Sequence, residues 1–227
     1  MDKRLDRLAS LIGADKVESL KNKTVLIAGL GGVGGTCLES LARSGIGSFL
    51  LVDFDRVDVT NLNRQILFVE QNIGQLKVEA AAKRLLSISK EIKVKIFASH
   101  VDEELLKNLD GEEIDFIIDA IDSPQAKEWL ISYAFYREIA FISSLGMANR
   151  LDPTAVRLST LDLTTGDPLA KKMRSLLRKR NIDLANVPVV CSLEKPVLDG
   201  PILASVMNVP SAAGLALAHY CLENLLK

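Results

Sequence analysis

Cysteine, histidine and one-sided charge are all scarce in this 227-residue chain. Its cysteines, Cys37, Cys191 and Cys221, lie far apart and form no Cys-x-x-Cys pair. That excludes a disulfide framework and a four-cysteine zinc site, so reduced thiols and no zinc are expected. Cys221 falls in an apolar helical stretch and reads as core; Cys191 lies beside Ser192 in a predicted loop without an evident activating base. The two histidines, His100 and His219, stand in no polar motif and read as surface or packing residues. Lys plus Arg number 28 against 29 for Asp plus Glu, so a nucleic-acid partner would have to be met by a local patch rather than by net charge. The N-terminal Met1-Asp2-Lys3-Arg4-Leu5-Asp6-Arg7 has no apolar signal core, and charges, Gly or Pro break every later long apolar run. A soluble, cytoplasmic protein with no transmembrane segment is expected.

What is present is an alternation of strands and helices. Leu5, Leu8, Leu11 and Ile12 recur at helical spacing within residues 1–22, with Asp15 or Ser19 as boundary residues. Strands are predicted at 24–28, 48–52, 94–97, 116–119 and 140–143, separated by helices at 36–43, 75–88, 103–109 and 124–136. That rhythm predicts an α/β, Rossmann-like, doubly wound and mainly parallel sheet. Beyond Gly146 the rhythm changes: strands at 155–159 and 187–190 flank a basic amphipathic helix at 168–179, predicting an antiparallel C-terminal extension. A closing helix is expected from Ser211, as its cap, to Leu226. The whole chain reads as one domain, with an N-terminal helical segment (1–22), a nucleotide-binding half (23–146) and an extension facing the substrate (147–227).

Two segments carry chemistry. Gly29-Leu30-Gly31-Gly32-Val33-Gly34-Gly35 fits G-x-G-x-x-G between a strand and a helix, where absent side chains let phosphates approach the backbone and a helix N-terminus. Asp53 ends the second strand, the place from which a carboxylate hydrogen-bonds ribose hydroxyls. This fingerprint alone would suit a nicotinamide dehydrogenase, but hydride transfer has no need of Asn61, Arg64, Gln65, Lys77 and Asp122. Splitting ATP between its α- and β-phosphates needs cations, supplied by Arg64 and Lys77, and a carboxylate for Mg²⁺, supplied by Asp122.

In this order of Gly-rich turn, Asp53, Asn61-Leu62-Asn63-Arg64-Gln65, Lys77 and Asp122, the chain resembles the ubiquitin-activating enzyme superfamily, which includes the ThiF and MoeB adenylating enzymes. The resemblance implies an ATP site made by Gly29, Gly31, Gly32, Gly34, Asp53, Asn61, Arg64, Gln65 and Lys77, with Asp55 beside it and Mg²⁺ on Asp122. It also implies a homodimer in which Arg7 reaches the partner subunit's ATP. The downstream runs Ser144 to Thr154, Asp167-Pro168-Leu169-Ala170 and Val209 to Gly214 resemble the TcdA (CsdL) branch, although the region after Pro196 is shorter than in many members. That branch implies ATP-dependent cyclisation of threonylcarbamoyladenosine in tRNA through an acyl-adenylate, and leaves room for a sulfur-relay or redox partner. Lys171, Lys172, Arg174, Arg178, Lys179 and Arg180 are then expected to meet tRNA phosphates. The alternatives are an activator of a sulfur-carrier or ubiquitin-like protein and a regulatory nucleotide-binding subunit. The missing zinc pairs and the basic helix oppose the first; the full set of ATP contacts opposes the second.

Overall fold

A computed structural model describes residues 2–198 and 203–227; residues 199–202, in the region after Pro196 expected to be shorter than in many family members, lie outside the described residues. Seven strands form one sheet: β1 (Thr24–Ala28), β2 (Ser48–Val52), β3 (Lys93–Phe97), β4 (Phe116–Asp119), β5 (Ala140–Ser144), β6 (Val156–Thr160) and β7 (Pro188–Ser192), in the order β3-β2-β1-β4-β5-β7-β6. All neighbours are parallel except β6 and β7. The extension is therefore less separate than the sequence suggests: β7 continues the parallel sheet on β5, and only the outermost strand runs backwards.

The helices are α1 (Asp6–Ile12), α2 (Ala14–Leu20), α3 (Gly32–Arg43), α4 (Lys77–Ile88), α5 (Glu103–Leu109), α6 (Pro124–Tyr136), α7 (Pro168–Lys179) and α8 (Asn208–Leu225). Strand pleating explains why both sheet faces need cover. Val25, Ile27, Phe49, Leu51, Phe116 and Ile118 pack into one core with α3, α4 and α8. Leu26, Ala28, Leu50, Val52 and Ile117 pack into the other with α5, α6 and α7.

Local boundaries differ from the sequence reading where glycine and proline act. Gly13, at φ +96, separates α1 from α2, so neither Asp15 nor Ser19 is the boundary. The helix after the Gly-rich turn starts at Gly32, not Thr36, placing the glycines in its first turn. α8 begins at Asn208, with Pro210 in its first turn, where a missing N–H is harmless. Ser211 is inside that helix and faces Thr36, whose hydroxyl lies 3.3 Å from its own. No helix among the described residues is long and apolar enough to cross a membrane.

Candidate active site

The carboxyl ends of β1, β2, β3 and β4 open into a cleft of about 680 Å³. In an open parallel sheet this edge is where ligands bind, because loops and helix N-termini converge there. Gly29, Gly31, Gly32, Asp53, Asp55, Asn61, Arg64, Gln65, Lys77 and Asp122 all line it. A second cavity of about 410 Å³ lies elsewhere, among Arg4, Lys21, Arg43 and Arg84. Those cations already pair with Asp2, Glu18 and Glu39, and none of the motif residues lines that cavity.

The turn shows why its glycines are not interchangeable. Gly29 takes φ +88, and a Cβ there would stand 2.5 Å from the Ala120 carbonyl oxygen. A Cβ on Gly34 would stand 1.8 Å from the Gly29 carbonyl oxygen. Gly34, expected among the nucleotide contacts, lies behind the turn instead and lets α3 pack against it. Gly31 is different: a Cβ would meet only the Gln65 amide nitrogen, at 3.8 Å. Gly31 is also the residue that precedes α3, and no side chain caps that helix. The first-turn N–H groups and the positive end of the helix dipole are thereby left for an anion.

Asp53 is fixed by the backbone. One carboxylate oxygen accepts the Leu30 N–H at 2.7 Å and the other the Asp55 N–H at 2.9 Å. Burial pushes its pKa above the usual carboxylate value, outweighing the opposing effects of Lys77 and these two donors. Lys77, buried at the start of α4, donates to Asp55 at 2.7 Å. Asp55 thus holds the lysine head at the cleft rather than merely facing solvent.

Asn61 and Arg64 come from a short helical turn. The Asp58 N–H donates to Asn61 Oδ1 at 3.0 Å while the Asp58 carboxylate accepts from Thr60, a reciprocal cap that sets the entry to the segment. Arg64 donates to the Thr60 carbonyl at 2.8 Å and to Asn63 Oδ1 at 3.0 Å, which holds its half-buried side chain at the cleft wall. Gln65 lines the cleft but is buried, and its Oε1 has no hydrogen-bond partner among the described residues.

Asp122 is exposed on the cleft and makes no hydrogen bond to the described residues. No group of three His, Cys, Asp or Glu side chains among them forms a metal cage. This donor set fits Mg²⁺ that arrives with phosphates, since that ion keeps several waters and takes only one or two protein carboxylates.

One side chain of the cleft, His100, belongs to no motif and was not placed there from sequence. His100 is not a packing residue away from the site: it lines the cleft and stacks on Phe54, ring centroids 3.6 Å apart. Its place directly beyond β3, at the sheet's ligand-binding edge, was the available signal. Arg7 is exposed on α1 and does not line its own chain's cleft. Cys191 is inside β7 and buried rather than in a loop, and burial raises its thiol pKa, which disfavours the thiolate form. Cys221 and Cys37 are core residues whose thiols burial also pushes up.

The basic helix is only partly free. Lys171, Lys172, Arg178 and Lys179 are exposed and make no ion pair with the described residues, and a seven-residue spacing puts Lys171 with Arg178 and Lys172 with Lys179. Arg174 donates to the Thr164 carbonyl at 2.8 Å, and Arg180 pairs with the buried Glu128. These two, expected to meet tRNA phosphates with the rest, are engaged within the fold.

Relatives carry the same architecture. A tRNA threonylcarbamoyladenosine dehydratase of Bacillus subtilis is 37% identical over 95% of this chain and 92% of its own length. The Escherichia coli enzyme of that name is 35% identical over 77% of this chain and 65% of its own. The crystal structure of Escherichia coli TcdA with AMP superposes at TM-score 0.94 with 30% identity, covering 99% of this chain and 94% of that one. An ATP complex of the same protein gives 0.93. The Escherichia coli molybdopterin-synthase adenylyltransferase is 30% identical over 79% of this chain and 70% of its own. The ThiF family model matches residues 5–160, the stretch from α1 through β6 that contains the whole cleft, and this chain belongs to the ThiF family.

Proposed function

We propose that this chain is a cytoplasmic, homodimeric, Mg²⁺- and ATP-dependent dehydratase of threonylcarbamoyladenosine in tRNA. The near-full-length likeness to dehydratases of that name carries the reading, with the ATP-site residues assembled on one cleft. Asp53 takes the ribose hydroxyls, while Gly31, Gly32 and the α3 N-terminus receive the α-phosphate. An oxygen of the threonyl carboxylate attacks the α-phosphorus and pyrophosphate leaves, giving an acyl-adenylate. Arg64 and Lys77 offset the charge that builds on the departing phosphates. Mg²⁺ held by Asp122 would neutralise the same oxygens. The substrate's carbamoyl group then attacks the acyl carbon, loses an N–H proton and expels AMP, closing the ring. No enzyme nucleophile is needed, because ring closure within one molecule has a high effective molarity.

The partner subunit is supported by exposed apolar side chains at Val59, Ile66, Val69 and Ile73, in and beside the Arg64 segment. Arg7, outside its own cleft, is assigned to the partner's ATP.

Two outcomes check parts of this account. Reversing Lys171, Arg178 and Lys179 to Glu weakens tRNA binding and flattens its log–log salt slope by about one unit per lost phosphate contact; an unchanged slope would remove α7 from the interface. The raised pKa of Asp53 gives the second. The folded chain accepts this proton more readily than the unfolded one, so ionisation penalises folding above the raised pKa, and the penalty disappears below the unfolded value. Nucleotide affinity runs the other way, falling with pH through the raised pKa as the ribose acceptor is neutralised. Calorimetric titration with AMP shows that fall in the parent and a weak, flatter profile in Asp53→Asn; equal profiles in the two would contradict the ribose role.

The likeness to the molybdopterin-synthase adenylyltransferase favours a second reading, in which the same cleft adenylates the C-terminus of a small carrier protein. AMP formation on tRNA or on a carrier separates the two.

A further inference from the structure

Lys127, in α6, is completely buried, an unusual place for a cation. Its ammonium has three protons and three acceptors: Asp119 Oδ2 at 2.8 Å, Ser143 Oγ at 3.0 Å and the Ser144 carbonyl at 2.9 Å. Asp119 is 1% exposed, and its other oxygen accepts the Ile121 N–H at 3.2 Å. The pair therefore pins the carboxyl ends of two neighbouring strands, β4 and β5, at the ligand edge of the sheet. From β4 the chain passes through Ala120 and Ile121 directly to Asp122 on the cleft. From β5 it passes to Gly146, whose N–H donates to Asp167 at 3.0 Å; the other Asp167 oxygen caps α7, accepting from Leu169 at 2.7 Å and Ala170 at 3.1 Å.

A buried ion pair is a poor device for stability, because desolvating both charges consumes most of what their attraction returns. Packed apolar side chains of like volume would hold the sheet as well. What they would not do is fix two loop directions through hydrogen bonds of set geometry. We propose that Lys127 is a positioning residue for the reaction, holding the Asp122 loop on the ATP side in register with the Gly146 loop and the start of α7 on the acceptor side. This rests on the assignment of the cleft to ATP and of Asp122 to its metal.

The test uses the full-length protein with the ion pair replaced by apolar residues, Lys127→Met with Asp119→Leu, and Asp122→Ala alongside. Lys127→Met alone leaves a buried carboxylate unpaired and lowers Tm; the double variant regains Tm close to the parent. Its kcat for AMP release with modified tRNA nonetheless falls by about tenfold to a hundredfold, as misplacement of reacting groups by about an ångström does. KM for ATP moves less, because the Gly-rich turn and Asp53 are untouched. Without any nucleotide, amide exchange at residues 120–123 and 145–147 is faster than in the parent. A stable double variant with parental kcat and exchange overturns the positioning role, while an inactive Asp122→Ala beside it leaves the ATP assignment standing. A fully active Asp122→Ala overturns both. If the double variant does not fold, Ser143→Ala, which deletes one acceptor of Lys127, decides: several-fold lower kcat at parental Tm supports the role, and parental kcat refutes it.

Discussion

Arg64→Ala or Asp122→Ala lowers AMP release by about a thousandfold or more while the melting temperature stays at the parental value. The size follows from phosphoryl chemistry, where positioning and charge neutralisation carry nearly all of the acceleration and one cationic or metal contact is worth about 10³-fold or more. Stability is spared because both side chains line the open cleft, Asp122 exposed and Arg64 half-buried, and neither belongs to a core cluster. Arg64 donates only to the carbonyl of Thr60 and to Asn63, and the Asp122 carboxylate accepts from nothing among the described residues. Lys77 gives a less clean experiment, since its buried ammonium is also the partner of Asp55. Steady-state AMP release and calorimetric unfolding on each variant check the pair of statements; parental turnover in either variant removes that residue from the site.

Gly34→Ala is expected to destabilise the fold strongly. Its Cβ would stand 1.8 Å from the Gly29 carbonyl oxygen and 3.1 Å from the Ala120 side chain, and the first contact is with backbone that has nowhere to go. Overpacking of this kind costs about 3 kcal/mol, a fall in melting temperature of roughly 6 to 12 °C for a chain of this size. Gly31→Ala, three residues away, meets only the Gln65 amide at 3.8 Å and sits at an ordinary negative φ of −74. It therefore folds normally, and its methyl group stands where the phosphate approaches, so ATP affinity falls instead. Thermal unfolding and nucleotide titration on both variants distinguish a glycine kept for packing from one kept for a ligand. Equal losses of stability in the two would contradict the distinction.

The doubly wound sheet was legible because its signals are local: apolar runs such as Thr24 to Ala28, helix stripes and glycine punctuation fall on consecutive residues. Six elements match the structure to the residue, among them Pro124–Tyr136 and Pro168–Lys179, where a proline in the first turn marks the start. The insertion of β7 beside β5 was not legible, because parallel pairing depends on a crossover through β6 and α7 that no local pattern encodes. The motif residues of the cleft could be gathered as a set because each belongs to a spaced motif. His100 belongs to none, and only the ordering of strands in space brings it against Phe54. The engagement of Arg174 with Thr164 and of Arg180 with Glu128 is likewise tertiary: charge patterning identifies a basic face and says nothing of which cations the fold has already used. Lys127 did leave a trace, a charged residue on the stripe shared by Leu130, Ile131 and Ala134, which are buried in α6.

The proposed reaction activates a carboxylate on tRNA in this cleft. Incubation of the protein with ATP, Mg²⁺ and tRNA bearing threonylcarbamoyladenosine, followed by nucleoside mass analysis and AMP quantification, tests it most directly. AMP and a modified nucleoside lighter by one water are expected, in equal amounts and dependent on Arg64. An unchanged nucleoside, with AMP formed instead when a carrier protein ending in Gly-Gly replaces the tRNA, would contradict it.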